Sequence, residues 1–177
     1  MAYKKWLFGT SKFRWGGILE DYELRATRRA YGDALVDIGG DEKIVVLSAD
    51  LTNSTCTHAF SELFPRRFFQ CGVAEQNMVG MAVGLALSGK IPFVSTFSAF
   101  IPNRALDQIR VSVCYNKANV KLASTHAGLT VGEDGATHQA LEDIAIMRAL
   151  PNMTVIVPCD FEETKKAVKQ AASFKGP

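Results

Sequence analysis

Cys71-Gly72-Val73-Ala74-Glu75-Gln76-Asn77-Met78 follows a short aromatic run, Arg67-Phe68-Phe69, and opens a segment without charge, Met78-Val79-Gly80-Met81-Ala82-Val83-Gly84-Leu85-Ala86-Leu87-Ser88. An aromatic strand, a glycine turn and a small-residue helix in that order predict a strand–turn–helix unit whose helix is buried. Glu75 then sits at the rim of the helix start. A carboxylate there needs a reason, because an ionised group is costly to desolvate unless something pairs with it. Negative charge at a helix N-terminus is stabilising in itself. Capping and a chemical role therefore stand side by side on this segment. Gly80 and Gly84 have the spacing of close helix packing.

The same alternation extends to either side. Apolar, β-branched runs occur at Ile44-Val45-Val46-Leu47, Ile91-Pro92-Phe93-Val94, Val120-Lys121-Leu122-Ala123 and Met153-Thr154-Val155-Ile156-Val157. Helix-length segments lie over 24–38, 57–64, 76–88, 103–115, 138–150 and 161–172, the first ending at the Gly39-Gly40 stop signal. In the last, Glu162 and Glu163 come early and Lys165, Lys166 and Lys169 later, as the helix dipole prefers. Strands alternating with helices predict an α/β fold: a doubly wound, mainly parallel sheet with helices on both faces.

Composition narrows the class. A chain of 177 residues with 47% hydrophobic content can bury the core of one sizeable domain. A formal charge of +2 is too small to argue for nucleic acid. No apolar run approaches the ~20 residues needed to cross a bilayer, and no secretory signal pattern occurs, so no membrane association is expected. Lys4, Lys5, Lys12 and Arg14 alternate with Trp6, Phe8, Phe13 and Trp15 in an N-terminal extension, 1–20, whose aromatics are expected to pack on the domain that follows, 21–177, or on a partner. Cys56, Cys71, Cys114 and Cys159 are scattered, without metal-ligand spacing, which suits reduced thiols in the cytoplasm and assigns no metal to this chain.

In open α/β sheets ligands bind beyond the carboxyl ends of the strands. Those ends carry Asp50 with Asn53 and Ser54, the turn from Gly72 to Glu75, Thr96-Phe97 with Phe100, and Thr125-His126. Next comes Gly128-Leu129-Thr130-Val131-Gly132-Glu133-Asp134-Gly135-Ala136-Thr137-His138, a glycine-rich loop whose backbone can approach a ligand closely. Each residue has an ordinary explanation by itself: a satisfied structural histidine, a core phenylalanine. Their convergence on one sheet edge is what marks a site.

These segments resemble the pyrimidine-binding domain of transketolase, a thiamine-diphosphate enzyme. The matching stretches are Ala26-Thr27-Arg28-Arg29, Ser48-Ala49-Asp50-Leu51-Thr52, Gly72 to Met78, Ser95-Thr96-Phe97, Gly132 to Gln139 and Leu150-Pro151-Asn152-Met153. The wording Gly-Val-Ala-Glu-Gln-Asn-Met, with Gly-Lys-Ile-Pro-Phe-Val-Ser-Thr-Phe after it, is most similar to the C-terminal subunit of split, two-subunit transketolases. That subunit ordinarily continues into a further C-terminal α/β domain, so the resemblance implies that this chain is a piece of a longer one.

The resemblance also implies roles. Glu75 matches the glutamate that hydrogen-bonds the cofactor's aminopyrimidine and favours its proton-accepting tautomer, with partial burial expected to raise its pKa. Phe97 and Phe100 match the rings packed on the pyrimidine, and Asp50 and Leu51 the cofactor-lining turn. Arg28 and Ser54 correspond to residues that hold a substrate phosphate. His126 and Asp134 correspond to groups contacting sugar hydroxyls, and His138 to a catalytic group near the reacting carbonyl oxygen. Many transketolases have arginine before Pro-Cys-Asp; here that position is Val157, which shifts phosphate binding to another arginine such as Arg104 or points to a non-standard sugar.

With no GDG-type turn followed by asparagine, the diphosphate and its Mg²⁺ or Ca²⁺ are expected on a diphosphate-binding N-terminal partner subunit. The chain is expected to be inactive without that partner and to homodimerise. The implied reaction is transfer of a two-carbon ketol unit between sugar phosphates of the pentose phosphate pathway. A deoxyxylulose-phosphate synthase-like enzyme shares the Ala-Glu-Gln run, although Gly-Glu-Asp-Gly-Ala-Thr-His-Gln suits transketolase better. A non-catalytic assembly or regulatory α/β module is the alternative from another class.

Overall fold

The computed structural model describes residues 25–177 and, before them, two short strands. These strands, β1 (Ser11–Trp15) and β2 (Ile18–Tyr22), pair antiparallel, with Trp15 opposite Ile18. Lys4, Lys5, Trp6 and Phe8 of the basic–aromatic segment lie outside the described residues.

The domain is built on four parallel strands in the order β4-β3-β5-β6: β3 (Ile44–Ser48), β4 (Phe68–Gln70), β5 (Ile91–Phe97) and β6 (Lys121–Thr125). All five residues of β3 are buried, as a central parallel strand covered on both faces requires. Its alternating side chains feed two cores. Val45 and Leu47 join Met78, Val79, Val94, Ile109 and Val113 on one face, while Ile44 and Val46 join Tyr31, Leu35, Phe60 and Phe93 on the other.

The first core is covered by α3 (Glu75–Leu87) and a wide, π-helical turn over Ile109–Tyr115. The second is covered by α1 (Thr27–Ile38) and α2 (His58–Leu63), with Val168 and Ala172 packing against it from the C-terminal helix, Phe161–Ser173. A buried hydrogen bond of 2.6 Å between the Tyr31 and Ser95 hydroxyls ties α1 to β5. Asp160 caps the C-terminal helix by accepting from the Glu163 amide at 2.7 Å, and the Glu163 carboxylate reaches back past the cap to accept from the Cys159 amide.

Four expectations are corrected. The helix expected over 103–115 is three pieces: α4 (Ile101–Arg104), α5 (Leu106–Gln108) and the π-helical turn. The break falls at Ala105, whose φ of −122° and ψ of 20° leave the helical region. The helix expected over 138–150 is only α6 (Asp143–Ala149). Its intended first turn is drawn out instead: Ala140 bridges to Ala127, and the Gly128 amide donates to the Ala140 carbonyl at 2.9 Å.

The strand expected over 153–157 is absent from the sheet. An apolar slot lined by Leu122, Ile144, Met147 and Met153 lies between this segment and β6, and the Thr154 amide donates to the Pro177 carbonyl. Alternation there predicts an extended chain, but pairing depends on where the neighbouring chain runs. Finally, Gly80 and Gly84 do not pack closely against the described residues; a Cβ at either would meet none of them within 4 Å. The C-terminal helix, Phe161–Ser173, is α7.

Candidate active site

Four strand ends meet at one edge, and three of them turn through a left-handed residue, Asp50, Gly72 or His126, while Phe97 is the last residue of β5 itself. Asp50, just past β3, has φ of +61°, and its amide donates to Gln70 Oε1 at 2.7 Å. Gln70 Nε2 also donates to Thr52 Oγ1 at 3.0 Å, so the end of β4 holds the turn after β3. The next residue amide, Leu51, donates to Ser48 Oγ.

After β4 the chain turns at Gly72 (φ +68°), a left-handed position that glycine adopts without strain. The Ala74 amide donates back to the Gly72 carbonyl, and α3 begins at Glu75. Glu75 is only 3% exposed. Its carboxylate meets Arg104 Nη1 at 2.9 Å from the end of α4. The same guanidinium lies over the Phe100 ring, 3.7 Å from its centroid. One small planar group thus spans the distance between the carboxylate and the aromatic ring.

Phe97 ends β5 buried, and its ring stacks on Phe100 with centroids 5.6 Å apart. His138 stands edge-on to Phe100 at 5.2 Å, and its Nδ1 lies 2.9 Å from Thr137 Oγ1. His126, just past β6 with φ of +60°, packs on the other side of this group, 4.0 Å from the Phe97 ring. Its Nε2 lies 3.4 Å from Arg28 Nη1, and its Nδ1 lies 2.8 Å from Thr125 Oγ1. A guanidinium can only donate, so Nε2 accepts and Nδ1–H donates to the threonine. Burial first, and then the Arg28 charge, push the His126 pKa below its ordinary value, while exposed Asp134 works against that shift. Arg28 Nη1 also donates to the Ser54 carbonyl at 3.2 Å.

The edge therefore holds two connected groups. Glu75, Arg104, Phe100, Phe97 and His138 form a carboxylate-and-ring cluster. Arg28, Ser54 and His126 form a polar group joined to it through Phe97. Among the described residues, no group of three or more His, Cys, Asp or Glu side chains could hold a metal ion.

Residues 24–177 match the family model of the transketolase pyrimidine-binding domain. The chain belongs to this family. It is 56% identical over 154 residues to a putative transketolase C-terminal section of Methanocaldococcus jannaschii, covering 86% of this chain and 49% of that protein. Human transketolase is 46% identical over 153 residues, covering 85% of this chain and 24% of the enzyme. Among solved structures, a split-gene transketolase described as an inactive β4 tetramer superposes with a TM-score of 0.76 at 56% identity, over 86% of this chain and 49% of that one. A Pichia stipitis transketolase in complex with sedoheptulose 7-phosphate superposes at 0.78 with 30% identity, over 88% of this chain and 25% of that one. The chain spans about half the length of the split relatives and about a quarter of the others.

Within this transketolase pyrimidine-binding domain, the residues singled out from sequence converge in two ways. Glu75, Phe97, Phe100 and His138 come together, as do Arg28, Ser54 and His126. Asp50 is exposed and Leu51 half-buried on the neighbouring turn. Arg104, considered for phosphate, instead faces Glu75, and exposed Val157 lies on the segment beyond the apolar slot. Sequence reasoning passed over Gln70, which holds the Asp50 turn, and Gln76, whose Nε2 donates to the Arg104 carbonyl at 3.0 Å. A polar side chain immediately after an aromatic strand was the available signal for Gln70.

Proposed function

We propose that the chain is the pyrimidine-binding half of a thiamine-diphosphate-dependent transketolase. It acts in the cytoplasm with a diphosphate-binding partner subunit and moves a two-carbon ketol unit from a ketose phosphate to an aldose phosphate. The observation that carries this reading is a buried carboxylate beside stacked aromatic rings at the carboxyl edge of a parallel sheet. That donor set fits an aminopyrimidine: a flat heterocycle to pack on Phe100 and Phe97, and a ring nitrogen to share a proton with Glu75.

When bound, thiamine diphosphate supplies the carbon nucleophile that breaks and remakes the bond beside a ketose carbonyl. Glu75 holds a proton at the pyrimidine nitrogen. Phe97 and Phe100 orient the ring and exclude water from the carboxylate. His126, kept neutral by burial and Arg28, and His138 hold or move protons at the sugar oxygens. Arg28, whose guanidinium is already oriented by Ser54, binds the phosphate end. Mg²⁺ and the diphosphate fall to the partner subunit.

Exposed apolar side chains at the two ends of α3 support the need for other chains: Val73 is 70% exposed and Leu87 74%, and a Cβ at Gly80 or Gly84, between them, would meet none of the described residues within 4 Å. A homodimer and the diphosphate-binding subunit are the occupants this reading requires. The relative described as an inactive β4 tetramer agrees with a chain that needs its partner.

Mixing the chain with a diphosphate-binding transketolase subunit, Mg²⁺ and thiamine diphosphate should produce two-carbon transfer that neither subunit gives alone. Ketol transfer by the chain alone would overturn the split-site reading.

A further inference from the structure

The Arg104 guanidinium makes two contacts that define a shape. Its edge donates to Glu75 Oε1 at 2.9 Å, and its face lies on Phe100 at 3.7 Å. An aminopyrimidine bound as described above would make the same pair of contacts: ring face on Phe100 and a nitrogen edge on Glu75. Both groups are flat, delocalised and rich in N–H or ring nitrogen.

We propose that Arg104 is a built-in competitor for the aminopyrimidine seat, and that it must swing out for the cofactor ring to enter. This inference rests on the cofactor site proposed above. A carboxylate at 3% exposure has to have a partner, because leaving it unpaired in a dry site is strongly unfavourable. Arg104 meets that need while its own side chain stays 43% exposed, so its way out leads straight into water. Its backbone does not have to move. The Gln76 side chain holds the Arg104 carbonyl against α3, and only the side chain rotates. Exchange of one planar partner for another keeps Glu75 satisfied at both ends of the step.

The test is calorimetric titration of thiamine diphosphate into the chain assembled with the diphosphate-binding subunit and Mg²⁺. Arg104→Met keeps the apolar stem and removes the fork; Arg104→Gln serves as a second variant of similar reach. The expected result is cofactor binding about tenfold tighter than wild type, since a part-exposed ion pair and a cation–π contact no longer compete. Glu75→Gln and Phe100→Ala are titrated alongside and should bind more weakly. Unchanged or weaker binding in both Arg104 variants, with weakened binding in the Glu75 and Phe100 variants, would overturn the competitor role and leave the site standing. Wild-type affinity in both Glu75→Gln and Phe100→Ala would overturn the site itself.

Discussion

Two of the carboxylates that sit opposite cations in this domain teach opposite lessons. Asp37, on α1, meets Lys165 Nζ at 3.0 Å and Lys169 Nζ at 2.8 Å from α7; Asp37 and Lys169 are open to water and Lys165 is half-buried. Glu75 meets Arg104 at a similar distance but is itself buried. The first pair can be broken at little cost, because water replaces each partner. The second cannot, because nothing but another protein group or a ligand can reach the carboxylate. The α1–α7 seam uses charge to trim a packing already made by apolar side chains. The strand-end site stores a carboxylate that always demands a partner, which is what a ligand-binding edge needs.

The sharpest way to break this comparison is to remove the buried member. Glu75→Ala in the assembled complex should lower turnover by roughly 10²-fold or more, the scale of a lost proton-transfer group. Steady-state two-carbon transfer at saturating thiamine diphosphate measures it, and retained activity would take Glu75 out of the chemistry. Removing the ring platform is milder. Phe97→Ala should weaken thiamine-diphosphate affinity roughly tenfold through lost stacking, read by calorimetry. Because Phe97 also holds His126, the same variant should raise KM for the sugar phosphate.

On the exposed seam, Asp37→Asn should cost no more than about 1 kcal/mol in urea unfolding and leave cofactor affinity untouched. Hydrogen bonds from Lys169 and Lys165 hold the Asp37 carboxyl below its ordinary 3.8. A depressed carboxylate contributes stability that is present above the unfolded pKa and lost as pH falls through the folded one. The difference between wild type and Asp37→Asn should therefore begin to shrink as pH falls to about 3.8 and vanish only below the lower, folded-state pKa.

A different kind of effect, a pH slope, belongs to the mirror case, a buried cation with no carboxylate partner among the described residues. Lys121 Nζ donates to Asn119 Oδ1 and to the Phe174 and Gly176 carbonyls, and burial lowers its pKa from 10.5 to about 8. Between those values the unfolded chain binds more protons, so raising the pH should stabilise the fold. Lys121→Met should lose that upward slope, which unfolding curves at several pH values would reveal. An identical slope in both proteins would show that Lys121 stays charged.

Much of the site was legible because parallel α/β architecture is written locally. Ile44-Val45-Val46-Leu47 spells a doubly buried strand, and the chargeless run after Glu75 spells a helix, of which the sheet covers one side while Gly80, Met81, Gly84 and Leu87 stay exposed; the strand ends then follow by counting. Glu75, Phe97 and His126 fall at those ends, and the sheet brings them to one edge. Elements whose course depends on distant chain were read less well. The 103–115 helix breaks at Ala105, and the 138–150 helix gives up its first turns to hydrogen bonds with the loop after β6.

By itself, then, the order of residues determined the alternation of strands and helices, the two apolar faces of the sheet and the carboxylate at the mouth of α3. Those are properties of neighbours in the chain, set by a period of two or of 3.6. Only the folded molecule decided that Arg104 faces Glu75 and Phe100 instead of the Arg28 group, and that residues 153–157 stand apart from β6. Partner choice across 29 positions of sequence depends on how packed elements happen to aim their side chains, and no local period encodes that direction.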